Sequence, residues 1–146
     1  MTTWSHLPNA AHIDAVLEDA RVRPEAWVAA GVKARDDLCE VRQSTVRHSI
    51  LYAARDAAWN AARDAAITAA RYAEWLATRD EAWGIARSKA EITARDVMRA
   101  LIAWDESAAL LDLTPDALRT IISTHDGDVK HQAVLLLPAV IVRSTV

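Results

Sequence analysis

The chain has no phenylalanine, one cysteine, three glycines and four prolines in 146 residues. Each scarcity excludes something. A lone Cys39 cannot close an internal disulfide, and beside Leu38 and Val41 it reads as a buried filler with no activated-thiol pattern around it. The longest apolar run, Ala133 to Val142, is interrupted by Pro138 and falls far short of the roughly 20 residues that cross a bilayer. The start, Met1-Thr2-Thr3-Trp4-Ser5-His6, carries neither a basic leader nor an apolar segment, so a soluble, cytoplasmic chain with no membrane partner is expected. With so few glycines and prolines and no period-two alternation, strand and turn signals are nearly absent, whereas the good helix formers Ala, Leu, Arg and Glu abound. At a net charge of -3, with acids interleaved among the bases, no segment creates the cationic field that drives nonspecific nucleic-acid binding. Nucleic acid is therefore not an expected partner.

What is abundant is regular. Arginine recurs at every eighth position, at Arg55, Arg63, Arg71, Arg79, Arg87 and Arg95, within a degenerate octapeptide of the form Ala-Arg-Asp-Ala-Ala-Trp-Asn-Ala. Eight residues advance a helix by about 80° beyond two turns, so the octad cannot hold one residue type on one face. Four residues advance it by only about 40°, and rows spaced by four are the ridges of helix packing. One such ridge alternates cations with large apolar groups: Arg55, Trp59, Arg63, Ile67, Arg71, Trp75, Arg79, Trp83, Arg87. Its neighbour runs Asp56, Asn60, Asp64, Thr68, Tyr72, Leu76, and the other two are nearly pure alanine. Alanine ridges allow close helix approach without loss of side-chain entropy. The Arg/Trp ridge puts each guanidinium one turn from an indole or an isoleucine, where stacking contributes about 0.5 to 1 kcal/mol per exposed pair. Close-packed antiparallel helices edged by Arg-Trp ladders are predicted. Because exposed Trp and Arg are favoured at protein interfaces, Arg55, Trp59, Arg63, Arg71, Trp75, Arg79, Trp83 and Arg87 are the candidate partner-binding residues. Interleaved cations and aromatics also suit single strands, but Asp56, Asp64, Asp80 and Asp96 each follow an arginine and cancel much of its field.

The copies Ala54-Arg55-Asp56-Ala57-Ala58-Trp59 and Ala62-Arg63-Asp64-Ala65-Ala66-Ile67 resemble the octapeptide arrays of uncharacterised bacterial and phage proteins. They are also similar to Ala-rich helical arrays in some immunity proteins of polymorphic toxin systems. The resemblance covers about residues 50 to 100 and brings no catalytic residues. It implies an accessory protein of a phage or mobile element, of inhibitor or immunity type, that works by binding another protein.

The remaining organisation follows from caps and breakers. Asn9 can cap a helix running to about Arg21, with Ile13, Val16 and Leu17 on one face. Pro24 suits the first turn of a second helix that carries Trp27 and Val28 and weakens at Gly31; residues 34 to 43 read as a polar helix or connection leading to the caps Ser44 and Thr45. From Val46 to Trp104 there is no proline and one glycine, Gly84. A straight helix of that length would reach about 90 Å, so the stretch must fold back. Thr78 with Glu81 is the best capping box for a restart, Ser88 with Glu91 the second, and Asn60 a weaker one. Thr114-Pro115-Asp116 is a strong helix start leading to Leu118, Ile121 and Ile122, with a stop at His125-Asp126-Gly127. Asp128 can cap a last helix through Val134 to Leu137, kinked or restarted at Pro138; its all-round hydrophobicity suits a core position or a subunit contact. The expectation is an all-α compact bundle of about six or seven helices with Ala-rich antiparallel central helices. It forms a single domain over residues 1–146, divided into N-terminal helices (1–43), octad helices (44–104) and C-terminal helices (105–146).

Catalytic signatures are sparse. His125, Asp126, Asp128 and His131 fall within seven residues and are the one candidate metal set, for a small metal-dependent hydrolase. The same residues also read as turn and cap chemistry. His6, His12 and His48 are isolated, there is no glycine-rich phosphate loop or nucleophile elbow, and Asp105-Glu106 reads as a solvated face or helix junction. Taken together these features predict a non-catalytic protein with no cofactor that binds a protein partner, with homo-oligomeric assembly as an alternative.

Overall fold

The computed structural model describes residues 2–42, 47–85 and 87–145. The fold is all-α, as predicted, but the described residues form eight helical segments where about six or seven were expected, because one is a 3-10 helix that carries no cap signature. The α-helices are α1 (Ala10–Val22), α2 (Pro24–Arg42), α3 (Arg47–Thr68), α4 (Tyr72–Ile85), α5 (Lys89–Ala103), α6 (Pro115–Thr124) and α7 (Asp128–Ser144), with the 3-10 helix Asp105–Asp112 between α5 and α6.

The centre is α7. Every residue from Gln132 to Val142 is buried, and the helix packs against α2, α3, α5, α6 and the 3-10 helix. A helix apolar on all sides can be buried on all sides, and here it is. Pro138 lies inside it without ending it, and the N-cap position is Gly127 (φ 79°), which makes Asp128 the first helical residue rather than the cap. The second core helix is α5, which packs on α1, α2, α3 and α7. Buried apolar side chains from all seven α-helices join in one continuous core that includes Ile13, Val16, Leu17, Trp27, Leu118 and Ile122 at the positions expected from periodicity.

Two N-terminal details differ from expectation. Asn9 occupies the N-cap position of α1 but makes no side-chain cap; its buried amide donates to the carbonyls of Leu101 (3.0 Å), Trp104 (3.1 Å) and Asp105 (3.2 Å). It thereby satisfies carbonyls at the end of α5 and ties α1 to it. Gly31 does not weaken α2, which continues to Arg42. A Cβ at Gly31 would lie 2.6 Å from Thr93 Oγ1, so α2 and α5 cross closely at this glycine. The expected caps Ser44 and Thr45, and the Cys39 and His48 side chains, lie outside the described residues.

The octad stretch breaks in two places. Thr78 is not a restart. It sits buried in the middle of α4, with its hydroxyl within hydrogen-bonding distance of the Glu74 and Thr3 carbonyls, while Glu81 accepts from the Thr3 amide and hydroxyl. The pair anchors the N-terminal segment and caps nothing. The first break follows Thr68, where Ala70 adopts a left-handed conformation (φ 56°), Arg71 N–H donates to Ala66 O (2.7 Å) and Ala70 N–H to Ile67 O (3.1 Å). This is a Schellman stop with alanine in the place usually taken by glycine, which is why no breaker signals it. The second break is as predicted: Ser88 caps α5, accepting from Glu91 N–H, and its hydroxyl also meets the Glu91 carboxylate.

Candidate functional site

The ridge pattern explains how α3 seats. Ala54, Ala58 and Ala62 are buried at 0, 0 and 5% exposure, so one alanine row faces α5 and α7. The next alanine of that row, Ala66, is only half-buried. That is the outward rotation expected of rows drifting about 40° every four residues. With the alanine row inward, the Arg/Trp ridge lies along the border of the buried face.

The eight candidate contact residues accordingly meet different fates. Arg63, Arg71 and Arg87 are exposed, Arg79 is half-buried, and Trp83 stands out at 61% exposure. Arg55 and Trp59 are half-buried, and Trp75 is buried at 8%. The expected ladder within one helix has one clear rung, Arg79 over Trp75 at 5.3 Å. Other rungs form between helices: Arg95 of α5 lies 4.2 Å from the Trp83 ring of α4, and Arg99 of α5 lies 5.6 Å from the Trp59 ring of α3. The stacking chemistry is as expected, but α5 supplies the cations. Trp4, Trp27 and Trp104, outside the ladder, are core residues, with Trp4 Nε1 donating to Asp14 and Trp27 Nε1 to Asp19, each at 2.9 Å.

These rungs converge on one carboxylate. Asp96 is buried in α5, and Arg55 donates to it in bidentate fashion, Nε to Oδ1 and Nη2 to Oδ2, both at 2.8 Å. Arg99 Nη1 donates to the same Oδ1, from a side chain only 4% exposed. Arg95 lies within electrostatic reach of Asp96 and Arg55, and one of its guanidinium nitrogens meets the Trp83 carbonyl at 3.4 Å. Three guanidiniums therefore gather at one carboxylate. The Nε–H donors of Arg95 and Arg99 are buried with no hydrogen-bond partner among the described residues. Burial, the largest influence on each, lowers the pKa of Arg95 and holds that of Arg99 down to about 10, against the partial help of Asp96. At Arg55 burial also pulls downward most strongly, but the hydrogen bonds and attraction of Asp96 together outweigh it and leave the pKa raised. Tyr52, exposed, lies with its ring 5.5 Å from the Arg55 guanidinium. Tyr52, Trp59 and Trp83 thus border an arginine cluster with an excess of positive charge.

Sequence reasoning named Arg55, Trp59 and Trp83 but missed Arg95 as a contact residue and Arg99 altogether. A signal was present: Arg95 and Arg99 stand one helical turn apart on either side of Asp96, next to the apolar run of α5. Like charges at that spacing repel unless a partner lies between or across from them.

A cleft of about 290 Å³ opens beside this face, lined by His6, Leu7, Ala62, Ala66, Arg71 and Trp75 among others. Its polar rim is internally paired, since Glu74 meets both His6 (3.6 Å) and Arg71 (3.5 Å). The His125, Asp126, Asp128 and His131 set is not gathered. His125 Nδ1 meets Thr124 Oγ1 at 2.9 Å, Asp126 meets Lys130 at 3.8 Å, and Asp128 is exposed in the first turn of α7. Among the described residues no group of three or more His, Cys, Asp or Glu side chains is placed to hold a metal ion. Asp105 and Glu106, both exposed, begin the 3-10 helix, so the expected helix junction is what they form. No helix among the described residues is long and apolar enough to cross a membrane. No family model, curated protein or solved structure matches the chain.

Proposed function

We propose that this chain is a non-catalytic helical protein that binds a protein partner through the face formed by α3, α4 and α5, as an accessory protein of inhibitor or immunity type. The observation that carries this function is Trp83. A large indole 61% exposed, with an arginine stacked on it, is the residue composition of an interface hot spot. Isolated exposed apolar residues are ordinary on any surface; an exposed tryptophan held by a cation drawn from the neighbouring helix is a preorganised contact. Ile67 and Tyr72 are further exposed apolar side chains near the α3–α4 turn. The inhibitor or immunity type follows from the octads' resemblance to the arrays of such proteins.

The test is site-specific photo-crosslinking in the native host. A photoreactive residue at position 83 is expected to trap one stoichiometric partner, while the same residue at Ser123, exposed on α6, traps none. Equal crosslinking at both positions, or none at position 83, overturns the proposal. Self-crosslinking at position 83 would make the partner a second copy of this chain.

A further inference from the structure

The arginine cluster beneath this face has a charge imbalance that no group among the described residues resolves. Arg55, Arg95 and Arg99 bring three positive charges, and Asp96 is the one carboxylate bonded to any of them among the described residues. Buried ion pairs normally balance, because an uncompensated charge out of water is costly. Here two guanidinium Nε–H donors are also left without acceptors, one of them on a side chain only 4% exposed. Buried donors in native proteins almost always have partners. Arg95 connects this interior to the surface, because its guanidinium lies over Trp83, the most exposed tryptophan of the chain.

We propose that the cluster of Arg55, Arg95 and Arg99, bordered by Tyr52, Trp59 and Trp83, is the docking point for carboxylates of an acidic segment in the protein partner. This rests on the partner-binding function proposed above and names the chemistry that it recognises. Guanidinium forks match carboxylates in bidentate geometry, and stacking on aromatic faces holds the forks in place. The excess is local. Exposed Asp56, Asp64 and Asp80 lie along α3 and α4, so a phosphate backbone tracking these helices would meet carboxylates at every octad. A compact pair of acidic side chains meets only the unbalanced spot. Arrival of two carboxylates at the half-buried Arg55 and Arg95 would bring the cluster to neutrality.

The experiment uses the whole chain, labelled with nitrogen-15, and follows its arginine Nε–H and tryptophan Nε1–H signals. The probe is an oligoglutamate peptide, compared with oligodeoxythymidylate of equal charge. Shifts centred on Arg55, Arg95, Arg99, Trp59 and Trp83, saturating with oligoglutamate and about tenfold weaker in Arg95→Gln, are expected. No saturable shift, equal shifts at the exposed Arg63 and Arg71, or tighter binding of the oligonucleotide overturns the proposal. Because the wild-type signals locate the site directly, a poorly folded variant leaves the test intact. The two proposals fail separately. If the partner still crosslinks at position 83 with undiminished affinity for Arg95→Gln, partner binding stands and carboxylate docking falls. If oligoglutamate saturates the cluster but no partner crosslinks, the reverse holds.

Discussion

Replacing Asp96 by asparagine removes one negative charge from among three guanidiniums while keeping the shape of the side chain and one acceptor oxygen. Asp96 and Arg99 have side chains 8% and 4% exposed, so the bond between them is a buried one. Removing one partner of a buried ion pair costs about 3 to 5 kcal/mol, because the other charge is stranded. The Arg55 side chain is 20% exposed and can turn partly into water, which places the loss near the lower end, at about 3 kcal/mol. For a domain of this size, with a urea slope of about 1.5 kcal/mol/M, the unfolding midpoint should fall by about 2 M. Arg99→Met is the informative companion. It also removes a buried ionic partner, but Asp96 keeps its bidentate bond to Arg55, and the burial that holds the Arg99 pKa down to about 10 is relieved. The lost stacking on Trp59 works against this, so the variant should lie within about 1 kcal/mol of the parent. Urea titration followed by far-ultraviolet circular dichroism measures both. Equal losses in the two variants, or a loss below about 1 kcal/mol in Asp96→Asn, would refute the claim that the cluster carries an unneutralised excess of positive charge.

Three further outcomes are expected. Gly31→Ala should destabilise by about 1 to 2 kcal/mol in thermal melts, since the clash with Thr93 exceeds the gain in helix propensity; in a Thr93→Ala background the same change should become stabilising, and stabilisation in the parent would contradict the close crossing. Ala70→Gly should stabilise by about 0.5 to 1 kcal/mol by removing left-handed strain from the Schellman stop, and a loss of stability would show that Ala70 is not left-handed in solution. Asp19 has its pKa lowered, chiefly by the hydrogen bond from Arg23, with the Trp27 indole adding to it against the opposing pull of burial. A carboxylate with a depressed folded pKa contributes stability above its unfolded pKa and loses it as pH falls through the folded value. The difference between the parent and Asp19→Asn, at most about 1 kcal/mol for so solvent-screened a pair, should therefore shrink below about pH 4, and a difference that grows on acidification would reverse the sign.

The local chemistry of the chain was readable without coordinates. Thr114 with Pro115, and Ser88 with Glu91, start helices because their side chains and backbone constraints act within one turn. The all-round apolar stretch Val134 to Val142 suited a core position or a subunit contact, and it is buried within the bundle. Where the octad stretch first breaks was not readable, because Thr78 and Glu81 carry a capping pattern that is used for a long-range bond to Thr3, and an alanine serves as the Schellman residue. Gly31 looked like a weak point and is a crossing point, a distinction that depends on which helix lies opposite.

Sequence by itself determined that the chain is helical and that its alanines form close-packing ridges, since both depend on spacing along one helix. Only the tertiary structure decided which cations reach which rings. Arg95 and Arg99 come to Trp83 and Trp59 from a different helix, and Asp96 holds Arg55 across a sequence distance of 41 residues. A ridge repeat specifies a surface on each helix and leaves open what is laid against it; the core around α7 sets that pairing, and with it the place where positive charge is left over.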